Sequence, residues 1–202
     1  YDAVYVNVGL DYGYNSGYNV EIGDIQIYNN KFYMEGSTAT GIDIDDIYVR
    51  YLYGGTVSFG VLNMSGNTMY GGDCGIDFYG YLDDLQDVQA SVGDVIVNDN
   101  MLVNQSSYSM YVDYYDGTYL YGNTVGTYGD LIIRGNTITS VYSADGIYLS
   151  DIGYWYEFYD NASLEVGNVY IEENEIDVGG NGIYAYGYEV GYDLYENSSF
   201  TM

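Results

Sequence analysis

Apolar and polar residues alternate in short stretches that recur along the whole chain. In five of these stretches a glycine is followed by two apolar residues at alternate positions, then by an asparagine, then by one more apolar residue. The five stretches begin at Gly23, Gly60, Gly93, Gly129 and Gly167. Alternation with a period of two is typical of a β-strand with one buried face. Its recurrence every 33 to 38 residues indicates a solenoid.

Two further alternating segments precede each of these glycines. One opens each repeat unit, near residues 3, 41, 75, 109, 146 and 182, and the other lies directly before the glycine. In the fourth unit the second segment is irregular, because Val125 stands one place early, and we expect a β-bulge or a looser coil there. Three short strands per coil, each stacked on its equivalent in the next coil, predict an all-β parallel β-helix. It would have about 5.5 coils of about 35 residues, and residues 1–202 would form one domain.

The alternation also predicts which side chains point into the solenoid. These are Val4, Val6, Ile25, Ile27, Ile42, Ile44, Leu62, Met64, Ile76, Phe78, Val95, Val97, Met110, Val112, Leu131, Ile133, Ile147, Leu149, Val169 and Ile171. The glycine would mark the corner between two strands, where a sharp bend requires a residue without Cβ.

One asparagine recurs at the same place in every unit. The five positions are Asn30, Asn67, Asn100, Asn136 and Asn174. We expect these side chains to form an internal ladder, each accepting from one neighbouring coil and donating to the other, so that buried turn backbone is satisfied. The alternative is a set of exposed turn residues in the left-handed conformation.

The chain contains 31 tyrosines, most of them between the opening strand and the second strand of a unit. We expect these segments to be loops of about 8 to 15 residues that emerge on one side and form an aromatic ledge. The rings either pack on one another as a second small core, or form a contact surface.

Charge narrows the range of partners. Three basic residues against 30 acidic ones give a net charge of −27, which excludes nucleic acid and anionic membranes as expected partners. There is also no apolar run long enough to predict membrane insertion.

The acidic residues form either a solvated face or a surface that recruits divalent cations. Asp43 and Asp77 occupy the same outward position in neighbouring units, so we predict that their carboxylates lie about 5 Å apart. Two like charges at that spacing either share a proton or bind a cation, and oxygen ligands of this kind suit Ca²⁺.

The repeated glycine–strand–asparagine pattern, with its G-I-x-apolar openings, resembles the right-handed parallel β-helix superfamily with the pectin-lyase-like fold. The resemblance covers nearly the whole chain and implies the fold, whereas proteins of that fold have many functions. The composition resembles cell-surface, sheath or filament β-solenoid proteins of archaea and bacteria. An extracellular or cell-surface location is therefore expected, with Asn161 and Asn197 as the preferred glycosylation sites.

Three classes of function remain open. We expect a non-enzymatic structural subunit of a homopolymeric filament, sheath or surface layer. The alternatives are a carbohydrate-binding adhesin that uses the tyrosine ledge, and a polysaccharide lyase or hydrolase. The enzyme is disfavoured because only Lys31, Arg50 and Arg134 could serve as a base, and because the paired carboxylates Asp45–Asp46 and Asp83–Asp84 are adjacent in sequence.

Self-assembly is expected through the ends of the solenoid or through the aromatic loops. No polar capping segment is recognisable in the sequence at either end. The residues predicted to be buried between subunits are Tyr154, Trp155, Tyr156, Tyr159, Phe200 and Met202.

Overall fold

The protein is a parallel β-solenoid of about five turns, with successive turns spaced by about 36 residues. This architecture is seen in a computed structural model that describes residues 2–13, 17–36, 38–117, 119–150, 157–186, 193–194 and 198–201. The described residues form 23 strands in three sheets, and each strand pairs in parallel with its equivalents in the neighbouring coils. The predicted fold class is therefore confirmed.

Sheet A contains the opening and second segments of each unit, and sheets B and C complete the coil. Sheet A comprises β1 (Val4–Gly13), β2 (Tyr18–Ile22), β5 (Thr40–Phe59), β8 (Cys74–Val92), β11 (Tyr108–Gly117), β12 (Tyr119–Tyr121), β13 (Val125–Tyr128), β16 (Asp145–Ser150), β17 (Glu157–Phe158), β18 (Ser163–Val166), β21 (Ile183–Ala185), β22 (Asp193–Leu194) and β23 (Ser199–Thr201). Sheet B comprises β3 (Ile25–Tyr28), β6 (Leu62–Ser65), β9 (Val95–Asn98), β14 (Leu131–Arg134) and β19 (Val169–Glu172). Sheet C comprises β4 (Lys31–Met34), β7 (Thr68–Gly71), β10 (Met101–Val103), β15 (Thr137–Thr139) and β20 (Glu175–Asp177).

Two details of the predicted coil were wrong. In the second and third coils the expected tyrosine-rich loop is strand, because β5 and β8 run without interruption through 20 and 19 residues. These strands turn by a register shift after Ile44 and by left-handed residues such as Tyr51 and Asp84, so the chain bends without leaving the sheet. The coil also contains an additional strand, in sheet C. The residue of this strand that points inward is the apolar one two positions after the ladder asparagine, as Leu102 follows Asn100.

The bulge expected in the fourth unit is absent from the described strand β13. Residues Val125–Tyr128 pair in unbroken register with β8 on one side and β18 on the other. The inward positions are taken by Gly126 and Tyr128, not by Val125, which is 36% exposed. Gly126 leaves room for the side chain of Leu164 in the next coil, because a Cβ there would lie 2.6 Å from a methyl carbon of Leu164.

Every residue predicted to point inward belongs to the core or packs against it. The core also contains aromatic rings that the sequence did not place there. Tyr114, from the tyrosine-rich segment that follows the fourth opening strand, is fully buried, with ring contacts to Phe78 at 5.3 Å and to Tyr128 at 5.2 Å. Its hydroxyl donates to the carbonyl oxygen of Gly93 at 3.1 Å, which satisfies the one polar group of the side chain.

The asparagine ladder is present and makes more hydrogen bonds than expected. The Oδ1 atom of Asn100 accepts from the backbone N–H of Asn67 at 2.8 Å and from its Nδ2 at 3.2 Å. The Nδ2 of Asn100 donates to the carbonyl oxygen of Met64 at 2.8 Å and to Oδ1 of Asn136 at 3.0 Å. Asn30 and Asn174 extend the same pattern at either side. The amide groups of Asn67, Asn100 and Asn136 therefore each connect three successive coils.

A second ladder runs along the glycine corners and is interrupted in the second coil, where Val61 occupies the position of the aspartate. The Oδ1 atoms of Asp24, Asp94 and Asp130 each accept a backbone N–H from the next coil, at 2.7 to 2.9 Å. The corner glycines stack so closely that a Cβ on Gly93 would lie 2.6 Å from the carbonyl oxygen of Gly60. Glycine is required at this corner because the backbones of neighbouring coils approach each other there.

The residue before each ladder asparagine adopts the left-handed conformation. These residues are Asn29, Gly66, Asp99, Gly135 and Glu173, with φ between 54° and 68°. Since a non-glycine residue costs about 1–2 kcal/mol there, and since a Cβ on Gly135 would lie 2.5 Å from Oδ1 of Asp99, Gly135→Ala should lower the free energy of unfolding by at least about that amount. Gly23→Ala is the control, because its Cβ would meet nothing within 4 Å. Equal urea unfolding curves for the two variants would contradict this prediction.

Candidate functional site

The outward face of the opening strands carries one chemically distinctive row of side chains. Parallel register places one residue of each coil in this row, in the order Tyr5, Asp43, Asp77, Tyr111, Tyr148 and Tyr184. The sequence predicted that Asp43 and Asp77 occupy neighbouring positions, and the two residues are paired in the strand register. The position of the three tyrosines could also be read from the sequence, since they occupy the same place in the opening segments of the later units.

The acidic part of the row is a cluster around Asp77. Asp43 pairs with Asp77 in register, and Asp45 lies nearby, where it accepts from the Tyr5 hydroxyl at 2.6 Å and from Nδ2 of Asn7 at 3.1 Å. The Oδ1 atom of Asp77 is buried and receives no hydrogen bond from the described part of the chain. Several carboxylates therefore crowd one place on sheet A.

Burial and crowding change the protonation of this cluster. Burial, followed by the charges of Asp43 and Asp45, raises the pKa of Asp77 to about 7. The hydrogen bond to Asp45 and the nearby negative charges raise the pKa of Tyr5. The single Cys74 lies at the beginning of the same strand, where its thiol donates to the carbonyl oxygen of Ile76 at 3.2 Å. Burial, and then the charge of Asp77, raises the pKa of this thiol, which keeps it unreactive.

The predicted calcium site at Asp43 and Asp77 stays a prediction. Within the described ranges no group of three or more histidine, cysteine, aspartate or glutamate side chains is arranged to hold a metal ion. Ca²⁺ takes six to eight oxygen ligands, so a pair of carboxylates would leave most of its coordination to water and bind weakly.

The tyrosines of the row, Tyr111, Tyr148 and Tyr184, form a continuous stack. The rings of Tyr79 and Tyr108 contact this stack at tilted or perpendicular angles, and we call the five rings together the tyrosine column. The rings of Tyr111 and Tyr148 are nearly parallel, with an angle of 9° and centroids 5.2 Å apart, and Tyr184 continues the stack at 5.0 Å. Burial and a hydrogen bond with Tyr111 raise the pKa of Tyr79.

A second aromatic group, which we call the Lys31 patch, lies on the outer face of sheet C. Its members are Lys31, Tyr33, Tyr70 and Met101. The rings of Tyr33 and Tyr70 stack at 5.1 Å, and the ammonium group of Lys31 lies 5.2 and 5.4 Å from their centroids. Tyr33 is 69% exposed and Met101 is 43% exposed. The patch thus combines a positive charge with exposed aromatic surface.

The other two basic residues are already paired with carboxylates. Arg50 binds Asp11 at 2.8 Å, and Arg134 forms an ion pair with Glu172. Lys31 forms no ion pair with any residue that the structure describes. Of the carboxylate pairs considered for a hydrolase, Asp83 has a pKa raised by burial and by Asp84, and the side chain of Asp46 lies outside the described residues.

A shallow groove of about 620 Å³ follows the corner between sheets A and B. It is lined in part by Asp94, Asp130, Glu165 and Asn168. The Oδ1 atoms of Asp94 and Asp130 accept backbone N–H groups of the next coil, as described above. These two carboxylates therefore contribute to the stacking of the coils.

The residues predicted for assembly and glycosylation are only partly described. Tyr154, Trp155, Tyr156, Met202 and Asn197 lie outside the described residues, as does the side chain of Phe200. Tyr159 is half-buried and stacks on Tyr121 at 5.0 Å. Asn161 lies exposed in a turn, as a glycosylation site requires, and donates to Oδ1 of Asn123 at 3.3 Å.

Comparison with family models, with curated proteins and with solved structures found no match. In the part of the chain that the structure describes, no helix has the length and apolar character needed to cross a membrane. The fold is a parallel β-solenoid, and its function has to be argued from its surface.

Proposed function

We propose that the protein is an extracellular structural protein that assembles with copies of itself into a filament, sheath or surface layer. The Lys31 patch is the observation that carries this proposal. Exposed aromatic and methionine side chains are enriched in protein interfaces. Lys31 adds a cation that no described carboxylate neutralises. The remaining surface is strongly acidic, so a second copy of the chain offers a complementary partner for Lys31.

The form of this contact favours an open polymer. A positively charged aromatic patch on one copy would meet an acidic surface on another, and these are different regions of the molecule. Such a heterologous contact repeats without closing unless its rotation forms a ring, so it builds filaments or tubes. Because each copy carries a net charge of −27, assembly also requires screening by salt or by divalent cations.

The stacked tyrosines weigh against the carbohydrate-binding alternative. Sugars stack on the open face of an aromatic ring. In the pairs Tyr33–Tyr70 and Tyr111–Tyr148 the rings face each other along the solenoid axis, so each ring covers a face of its neighbour.

Assembly is tested by sedimentation and electron microscopy of the purified chain at increasing salt and millimolar Ca²⁺ or Mg²⁺. We expect regular polymers, and a critical concentration raised at least about tenfold by Tyr33→Ser, equivalent to about 1.4 kcal/mol of contact energy. Lys31→Gln should also weaken assembly. Arg134→Gln, which changes the net charge equally but removes an arginine already paired with Glu172, should not.

The proposal fails if the folded protein remains monomeric under all these conditions. It also fails if Arg134→Gln weakens assembly as much as Lys31→Gln does, because the effect would then belong to net charge and not to the Lys31 patch. Binding to a glycan array by a chain that stays monomeric would favour the adhesin.

A further inference from the structure

The tyrosine column brings phenol rings of successive coils into direct contact on the protein surface. The strands that carry Tyr111, Tyr148 and Tyr184 are paired in register, so the backbone positions of neighbouring tyrosines lie about 4.8 Å apart. Their ring centroids are 5.2 and 5.0 Å apart. Tyr111 and Tyr148 are half-buried and Tyr184 is 38% exposed, so an oxidant in solution can reach the column.

We propose that the tyrosine column is a site of oxidative phenol coupling, at which a one-electron oxidant of the peroxidase class links tyrosines of neighbouring coils as dityrosine. The pair Tyr111–Tyr148 is the principal site, because its rings are the most nearly parallel in the column. The proposal is independent of self-assembly, since both rings belong to the same chain.

Each phenol loses one electron and one proton to become a tyrosyl radical. The two radicals join through a carbon–carbon bond between ring positions next to the hydroxyls, and the two displaced ring hydrogens move to the phenol oxygens. The two electrons and two protons reduce one hydrogen peroxide to two water molecules at the peroxidase.

The fold favours this reaction over random coupling. Two radicals on the same chain are already held in van der Waals contact, so the coupling step is unimolecular and does not depend on protein concentration. The rings of Tyr108 and Tyr79 lie 5.3 and 5.6 Å from that of Tyr111. An oxidant can remove an electron from either ring, and the radical can then move to Tyr111 before coupling. The resulting link would join two coils covalently.

The scarcity of basic residues makes the link easy to detect. Trypsin cuts after Lys31, Arg50 and Arg134, and so yields fragments 1–31, 32–50, 51–134 and 135–202. A link between Tyr111 and Tyr148 joins the last two fragments. The stacked pair Tyr121–Tyr159 would join the same fragments, so the experiment uses a Tyr159→Phe background.

The test treats dilute protein with a haem peroxidase and hydrogen peroxide, followed by trypsin, mass spectrometry and dityrosine fluorescence. We expect a joined fragment that lacks two hydrogen atoms, with the link mapped to Tyr111 and Tyr148 by tandem mass spectrometry. Tyr148→Phe should abolish that link, while its ring preserves the stack and the melting temperature. The control is Tyr142→Phe, which removes a 53% exposed tyrosine of the same fragment and should change nothing.

Three results would overturn the proposal. The first is an unchanged yield of the joined fragment in Tyr148→Phe. The second is an equal loss in Tyr142→Phe. The third is coupling found only between chains, with a yield that rises with protein concentration. Oxidation in concentrated urea provides the remaining comparison, because unfolding separates the rings and should remove the preference for this pair.

Discussion

Asn100→Leu should destabilise the protein by about 2–6 kcal/mol, because each buried polar group left without a partner costs about 1–3 kcal/mol. The side chain of Asn100 is buried, and its loss removes the acceptor of the Asn67 N–H and the donor to the Met64 carbonyl. Neither group can turn to water in the middle of the stack. Urea unfolding monitored by circular dichroism measures the change.

Asn123→Leu is the matched control for this variant. Asn123 also donates to a neighbouring coil, from Nδ2 to Oδ1 of Asp87 at 3.2 Å, but it is exposed. Water replaces that hydrogen bond, so the loss should stay below about 1 kcal/mol. Similar losses for the two asparagines would mean that the internal ladder contributes no more than a surface contact.

Asp77→Asn should stabilise the protein at pH 8, and the gain should vanish near pH 4. The pKa of Asp77 is raised from 3.8 to about 7, so the folded state binds this proton more tightly than the unfolded chain does. Its contribution to stability is fully present below about pH 3.8 and is lost as the pH rises through about 7. Because the side chain is partly exposed, we expect a gain of about 1–2 kcal/mol at pH 8.

Glu175→Gln separates this effect from that of net charge. It removes one negative charge from an exposed position on sheet C. A gain that is equal in both variants, or that persists at pH 4, would exclude the local explanation. Ca²⁺ provides a second comparison with the same proteins: if it binds between Asp43 and Asp77, millimolar Ca²⁺ should raise the melting temperature of the parent chain and not that of Asp77→Asn.

Much of the fold could be predicted because strand alternation and stacking reinforce each other. Val95 and Leu131, for example, occupy equivalent places in sequence and pair directly in the structure. The ladder asparagines were recognisable for the same reason. The continuous strand β5 was not, since its register shift after Ile44 interrupts the alternation and its tyrosines can face either the core or water.

The candidate site was predicted in part for similar reasons. Asp43 and Asp77 could be placed side by side, because one position in each opening segment faces outward. The raised pKa of Asp77 depends on its burial and on Asp45, which the alternation does not specify. Tyr114 could not be assigned to the core, because the acceptor of its hydroxyl, the carbonyl oxygen of Gly93, is distant in sequence.

The asparagine ladder gives successive coils equivalent hydrogen-bonding groups at their junctions. Asn67, Asn100 and Asn136 present the same amide to the same backbone groups, and Asp94 and Asp130 repeat this at the corner. A gene segment that encodes one whole coil can therefore be duplicated or deleted by unequal recombination, and the flanking coils would meet with their hydrogen bonds intact. Insertion or deletion of only a few residues would instead shift the ladder asparagine out of register with its neighbours. Evolution of this architecture should thus proceed in steps of a complete turn, with the length of the rod as the trait that selection adjusts.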